Sequence, residues 1–272
     1  MFLISSQVIN LASSAYSTLR ILFDGVDEYL YKVSPSFQGD KASGGRTMAF
    51  WVEFPALDST NGVNAVDIFA AIGNDDVTTH TPLFFFEVRS RASGDTQPRF
   101  GITYRQDKGG AFSAVNSAKG TDTIVTTNTK YHVVFSTNGS TTKIYVNGVA
   151  ETMGTWAGSN QGWWFGDLNM SGTKTFVVGT GWNNNGPTNH TNAYVDEITY
   201  WNKQLSSSEV TELYNSGVPM DPTAHSAAAN LDGHWRMGET ESGSITTVYD
   251  SVNSDDFSNA NMENGDIVSV SY

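Results

Sequence analysis

Short runs of aromatic and β-branched residues alternate with stretches rich in Gly, Asn, Ser and Thr along most of the chain. Runs of this length, separated by turn residues, are typical of β-sandwiches and barrels. The pattern predicts about ten strands, at 20–25, 47–54, 66–73, 82–89, 99–105, 130–137, 142–148, 174–180, 194–201 and 233–238. That number of strands suffices for two packed antiparallel sheets.

The clearest local pairing is a β-hairpin at 131–150. Its first strand alternates apolar residues with others, and Asn138-Gly139 follows at the turn. Asn-Gly tolerates the positive φ angles that a tight hairpin turn requires. The returning strand ends at a second pair of the same kind, Asn147-Gly148.

One segment carries a strong helix signal, directly after the predicted strand at 194–201. Ser206 and Glu209 have the spacing of a capping box, in which each residue binds the backbone of the other. Leu205 and Val210 have the spacing of a hydrophobic staple, and Gly217 follows the last turn. We therefore predict a short helix that lies on a sheet.

The segmentation of the chain follows from these elements. We predict an N-terminal arm at 1–18, a sandwich domain at 19–218, and a C-terminal extension at 219–272 that completes the sandwich or contacts neighbouring molecules. The arm has no Lys or Arg before its apolar stretch, which disfavours a signal peptide. The segments 109–123, 154–172 and 181–192 are rich in turn residues and are predicted to be loops.

Composition narrows the function classes. The chain has no Cys, which excludes disulfides and thiolate chemistry. It has 28 acidic and 15 basic residues, a formal net charge of −13, so nucleic-acid binding is not expected. Acidic surfaces keep proteins soluble and attract divalent cations. No stretch approaches the ~18 apolar residues of a membrane span, so membrane insertion is not expected.

Four segments in order match one family: "LRILFDGVDEYLYKVSPSF", "TMAFWVEF", "KYHVVFSTNGSTTKIYVNGV" and "YVDEITYWNKQLSSSEVTELYNSG". Over residues 19–217 the chain resembles the laminin-G-like or concanavalin A-like lectin/glucanase jelly rolls. The resemblance implies an all-β, two-sheet antiparallel jelly-roll sandwich with one short helix and extended terminal arms. It also implies adhesion to carbohydrate or protein, in some members a structural calcium ion, and in a few branches glycoside hydrolysis.

The end of the chain, from "GHWRMGE" onward, is similar to segments around such domains in bacteriophage tail and capsid-surface proteins. This resemblance implies a non-catalytic structural protein at the virion surface, as a capsid decoration or tail-associated protein. Other virion proteins or further copies of this chain would then be its partners, with surface polysaccharide as a ligand. The alternatives are a free, extracellular carbohydrate-binding module or lectin, and a glycoside hydrolase.

The acid pair Asp196 and Glu197 is the first candidate for chemistry. Neighbours on a strand point to opposite faces, so these carboxylates are predicted to be apart and unsuited to glycoside hydrolysis. The resemblance to the glucanase branch does not extend to its run of alternating acids. Asp196 is predicted to face inward with Ile198. Its carboxylate would then accept hydrogen bonds from a turn, or hold a calcium ion together with Asp24 or with carbonyl oxygens of the N-terminal strand.

Tryptophans and an asparagine in two predicted loops are the candidate ligand-binding residues: Trp163, Trp164, Trp182 and Asn184. Exposed aromatic rings stack on sugars or anchor protein interfaces, and amides bind sugar hydroxyl groups. Packing of these tryptophans into the core, and a self-solvating Asn turn, are the alternatives.

Overall fold

The computed structural model describes residues 16–58, 66–74, 83–91, 95–105, 115–168, 172–183, 186–239 and 245–272. Two large antiparallel sheets form a jelly-roll sandwich, as the sequence predicts. All ten predicted strands are present, with bounds shifted by at most four residues. The strands are β1 (Leu19–Asp24), β2 (Tyr29–Val33), β3 (Arg46–Glu53), β4 (Val66–Asn74), β5 (Leu83–Arg91), β6 (Asp95–Arg105), β7 (Val115–Gly120), β8 (Tyr131–Thr137), β9 (Thr142–Val146), β10 (Val149–Ala150), β11 (Met153–Gly154), β12 (Lys174–Val178), β13 (Gly181–Asn183), β14 (Gly186–Thr188), β15 (Asn192–Trp201), β16 (Leu231–Trp235), β17 (Thr247–Val248), β18 (Phe257–Ala260) and β19 (Ile267–Ser269).

The first sheet has the order β10-β9-β8-β3-β15-β1-β19, and β16 pairs with the far half of β15. The second has the order β11-β7-β6-β5-β4-β12-β2-β18-β17. A small hairpin, β13-β14, is hydrogen-bonded into neither sheet but packs on β4, and its two strands correct part of the loop prediction at 181–192. Strand β7 corrects part of the loop prediction at 109–123. Its sequence, "VNSAKG", has too few apolar residues to signal a strand, and its place is determined by pairing with β6.

Alternation along the strands places one aromatic ring after another between the sheets. Phe50 and Phe135 extend from the first sheet, and Phe69 and Phe86 from the second. The ring centroids of Phe86 and Phe135 are 4.8 Å apart, and those of Phe50 and Phe69 are 5.2 Å apart. These tilted and edge-on contacts are favourable ring geometries, so the core joins both sheets.

Strands after residue 219 take part in both sheets. β16 pairs with β15 and β19 with β1 in the first sheet, while β18 pairs with β2 in the second. Trp235 is fully buried, stacks on Phe257 at 4.7 Å and meets Phe37 edge-on at 5.2 Å. Its indole N–H donates to the carbonyl of Asp255 at 2.9 Å. Side chains of the C-terminal segment therefore form part of the hydrophobic core. Contact with neighbouring molecules stays a prediction.

The predicted helix is α1 (Ser207–Tyr214), and its capping box between Ser206 and Glu209 is present. Val210 and Leu213 are buried against the outer face of the first sheet. The left-handed turn at the end of the helix begins at Asn215, two residues before Gly217. Asn adopts this conformation more readily than other non-glycine residues, so the chain turns earlier than predicted.

Candidate functional site

A β-bulge in β15 determines where the acid pair points. The register of β15 on β3 shifts between Asp196 and Thr199, and Glu197 has a positive φ of 44°. Because the bulge adds one residue, Val195 and Ile198 both enter the core. Asp196 lies on the outer face of the first sheet. The prediction that Asp196 faces inward with Ile198 is therefore wrong, because it assumed strict alternation.

The carboxylate of Asp196 is covered from outside by both ends of the described chain. It accepts hydrogen bonds from the Ser17 hydroxyl at 2.5 Å, the Tyr272 hydroxyl at 2.7 Å and the Glu197 backbone N–H at 2.8 Å. The side chain is buried, with only 1% of the residue exposed. Burial, and then the nearby charge of Glu197, raise the pKa of Asp196 well above its ordinary value.

Glu197 continues this buried group toward β16. Its Oε2 lies 2.7 Å from Nε2 of His234, whose Nδ1 lies 2.9 Å from Oγ of Ser251. Burial raises the pKa of Glu197 to about 8 and lowers the pKa of His234 to about 4. The Arg236 guanidinium, with Nε 3.5 Å from Oε1 of Glu197, acts against the rise in the pKa of Glu197. We refer to Asp196, Glu197 and His234 as the acidic corner.

The Ser251–His234–Glu197 arrangement has the distances of a catalytic triad. The Ser251 hydroxyl also lies 3.2 Å from the backbone carbonyl oxygen of His234. The backbone N–H groups of Ser251 and Val252 donate to the His234 carbonyl and to Oδ1 of Asp250. These two N–H groups are therefore already bound and are not free to stabilise an oxyanion at Ser251.

The two aspartates predicted to share a calcium ion lie apart. Asp24 pairs with Asn192, and Asp196 lies four residues further along β15, roughly 13 Å away at the rise of a strand. Asp24 is exposed and accepts a hydrogen bond from the Val26 N–H at 2.7 Å. The pair does not fit one ion. Within the described ranges, no three His, Asp or Glu side chains are grouped to hold a metal.

We expect Tyr272→Phe to lower the free energy of unfolding by about 1 kcal/mol, because Asp196 loses one of three donors. Urea denaturation measures the difference. Tyr249→Phe is the matched control, since Tyr249 is 52% exposed. Equal stability of the Tyr272→Phe variant and the wild type would contradict the role assigned to the last residue.

Trp164 is a core residue, which corrects its assignment as a ligand-binding candidate. It is fully buried. Its ring packs on Phe165 at 5.0 Å and on Phe84 at 5.5 Å. A sugar cannot stack on a ring that is enclosed on all sides by core side chains.

Trp163 is partly buried at the rim of a shallow pocket. Its ring stacks on Tyr104 with centroids 4.9 Å apart and an interplanar angle of 11°. The ammonium of Lys41 lies 4.2 Å from the same ring, and Nε1 donates to Gln161 at 3.0 Å. The Trp163 ring therefore already packs on Tyr104 and Lys41, and its N–H group already donates to Gln161.

Trp182 lies on the outer face of the second sheet and is partly exposed. Its ring rests on Gly73, where an added Cβ atom would come within 2.7 Å of the indole. Nε1 donates to the carbonyl of Asn74 at 3.1 Å, which fixes the ring on β4. Asn184, the neighbouring candidate, lies outside the described residues.

Three further rings join Trp182 in an aromatic patch: Tyr29, Tyr31 and His190. Tyr29 is central, with ring centroids 5.9 Å from Tyr31, 6.0 Å from His190 and 6.4 Å from Trp182. All four residues are partly exposed. We refer to these four residues as the aromatic patch. Sequence reasoning missed the tyrosines because β2 was not predicted, although the alternation in "YLYKV" is a strand signal.

The family model of the concanavalin A-like lectin/glucanase superfamily matches residues 24–211, well over half of the chain. The chain belongs to this superfamily. The match agrees with the resemblance found in the sequence and with the two-sheet sandwich. None of the curated proteins matches the chain. Among the described residues, no helix combines the length and apolar character needed to cross a membrane.

Solved structures of the superfamily fold resemble the domain at low sequence identity. A candidate carbohydrate-binding protein from Bacteroides ovatus has a TM-score of 0.59 at 15% identity, covering 94% of this chain and 61% of its own. The CBM40 of the Ruminococcus gnavus IT-sialidase, bound to α2,3-sialyllactose, has a TM-score of 0.51 at 10% identity. That match covers 72% of this chain and 97% of the CBM40. The chain therefore spans less than two thirds of the Bacteroides ovatus protein, and these likenesses concern the fold.

Proposed function

We propose that this domain is a non-catalytic, lectin-like module that binds carbohydrate on the outer face of its second sheet. The observation that supports it most directly is the aromatic patch, in which three partly exposed rings surround and contact the ring of Tyr29. Sugars present flat C–H faces that stack on such rings. Membership of a lectin/glucanase superfamily adds to the case.

The acidic corner supports a binding role over hydrolysis. A glycosidase needs two carboxyl groups that reach the scissile bond from opposite sides. Here the carboxyl group of Asp196 is bound by Ser17 and Tyr272, and that of Glu197 by His234. Both groups hold the protein together instead of facing a cleft.

We expect Trp182→Ala to weaken binding of a glycan ligand about tenfold or more, because partly exposed aromatic anchors dominate such contacts. A glycan array identifies ligands of the wild type, and calorimetry compares both proteins with each ligand found. Thermal unfolding confirms that the variant is folded.

Trp163→Ala is the matched control for this experiment. It removes an indole of the same size whose ring is already stacked on Tyr104, so binding should stay within about twofold of the wild type. An array without any bound glycan would overturn the proposal, and so would equal affinity of the Trp182→Ala variant.

The setting of the domain is a separate proposal. A place on a virion surface, with virion proteins or further copies of this chain as partners, rests on the resemblance of the C-terminal segment. A free carbohydrate-binding module is the alternative. Mass spectrometry of purified virions distinguishes them, and many copies per particle would favour a capsid decoration over a tail protein.

A further inference from the structure

The outer face of the second sheet exposes a further apolar side chain, Val33, beside the aromatic patch. Val33 is 49% exposed. Leu30 enters the core, so alternation along β2 places Tyr31 and Val33 together on the outer face. The exposed surface of β2 therefore continues beyond its two tyrosines.

Tyr249 extends this surface across the sheet. Thr247 of β17 pairs with Ser258 of β18, and Ser258 pairs with Tyr31 of β2. Cross-strand partners share a face, so Thr247 lies on the outer face and Val248 enters the core. Tyr249 follows Val248 and is 52% exposed, so its ring faces solvent on the same side as Thr247.

The register of the strands places Trp182, Val33 and Tyr249 in one row across the sheet. The Trp182 ring rests on Gly73 of β4, and Thr175 of β12 is the cross-strand partner of both Gly73 and Val33. Continued by two residues, the register of β17, β18 and β2 brings Tyr249 into line with Val33. Four strand spacings separate β4 from β17, or about 19 Å. We refer to Trp182, Val33 and Tyr249 as the cross-strand row.

Hydroxyl and carboxyl groups lie among the apolar side chains of this face. Ser258 is exposed on β18, between Tyr31 and Thr247. Asp256 has the same orientation by alternation and is partly exposed, and one of its oxygens accepts a hydrogen bond from the Asp250 N–H at 2.9 Å. Sugars combine C–H faces with hydroxyl groups, whereas the centres of protein interfaces are depleted in charged residues. The mixture therefore favours a glycan as the occupant.

We propose that this face binds an extended glycan chain along the cross-strand row, contacting several consecutive sugars of a polysaccharide instead of one terminal sugar. This inference rests on the proposed carbohydrate-binding function and names the ligand class of the same face. Trp182 and the aromatic patch hold one part of the chain, and Tyr249 stacks on a sugar further along it. Affinity therefore rises with chain length until the row is filled.

The test measures affinity against chain length. Di-, tetra- and hexasaccharides of laminarin, xylan and mannan are titrated into the wild type by calorimetry, together with those of any polysaccharide that a glycan array identifies. We expect a hexasaccharide to bind at least about tenfold more tightly than the disaccharide of the same polymer, because it gains a second aromatic anchor. Equal affinity of the two lengths would overturn the proposal.

Tyr249→Ala assigns the gain in affinity to the cross-strand row. It should weaken hexasaccharide binding about tenfold and leave disaccharide binding within about twofold of the wild type. Tyr249→Phe is the matched control, since it keeps the ring and should bind the hexasaccharide as the wild type does. Trp182→Ala should weaken both lengths. Thermal unfolding checks that each variant is folded.

The outcomes separate this inference from the proposed function. Loss of binding in Trp182→Ala, with unchanged hexasaccharide affinity in Tyr249→Ala, would overturn the extended chain and leave carbohydrate binding intact. Sedimentation of the wild type and Tyr249→Ala tests for a second copy of this chain as the occupant. A change in oligomeric state without a change in glycan affinity would overturn the proposal. No bound glycan at all would overturn both proposals.

Discussion

Trp235→Ala should lower the free energy of unfolding by about 3–5 kcal/mol, the range for a large aromatic residue deleted from a packed core. Trp235 is fully buried between Phe37 and Phe257, and its N–H group bonds with the Asp255 carbonyl. The substitution leaves a large cavity and an unpaired buried carbonyl. Urea denaturation monitored by circular dichroism measures the loss.

Tyr249→Ala is the control within the same C-terminal segment, because Tyr249 is 52% exposed. Its effect should stay within about 0.5 kcal/mol. The same reasoning predicts that a chain ending at residue 218 does not fold, since it lacks β16, β18 and β19. A stable, cooperative fold of that shortened chain would show that the C-terminal segment is dispensable.

Glu197→Gln should flatten the fall in stability between about pH 6.5 and 8. Folding raises the pKa of Glu197 from its ordinary 4.5 to about 8. In this window the folded protein holds a proton that the unfolded chain has released. Stability therefore falls as pH rises, by at most about 2 kcal/mol for one proton. Gln keeps the shape of the neutral carboxyl and removes this proton.

His234, also in the acidic corner, changes the pH dependence of stability in the opposite direction, and it does so at lower pH. Burial lowers the pKa of His234 from 6.5 to about 4, so its contribution to stability is lost as pH falls through that range. Denaturant titrations at half-unit steps from pH 4 to 8.5 resolve the two windows. Glu263→Gln, at an exposed position, is the control. An unchanged slope above pH 6.5 in Glu197→Gln would show that Glu197 is ionised in the folded protein.

Local patterns predicted the strands that contain a continuous run of mostly apolar residues. Strand β3, "RTMAFWVE", and strand β8, "YHVVFST", contain such runs and are buried over most of their length. Strand β7, "VNSAKG", lacks such a run and was predicted to lie in a loop. Its conformation depends on the backbone groups of β6, and sequence patterns do not report that partner.

The residues of the candidate site were likewise predicted only in part. A tryptophan next to asparagines and glycines singled out Trp182, which belongs to the aromatic patch. The same reasoning selected Trp164, which lies in the core one residue from the partly exposed Trp163. Adjacent residues in a loop can point to opposite environments, and composition does not distinguish them. The rings of the aromatic patch come from β2, from β13 and from the residues after β14, so only the fold brings them together.

The sequence by itself determined the all-β class, most of the strands, the capped helix and the superfamily, because each depends on neighbours a few residues apart. The tertiary structure decided the environment of Asp196. One extra residue in β15 turns its carboxyl group outward, and its partners Ser17 and Tyr272 lie 179 and 76 residues away along the chain. A hydrogen bond depends on distance in space, and periodicity along a strand holds no information about which distant residues will cover it.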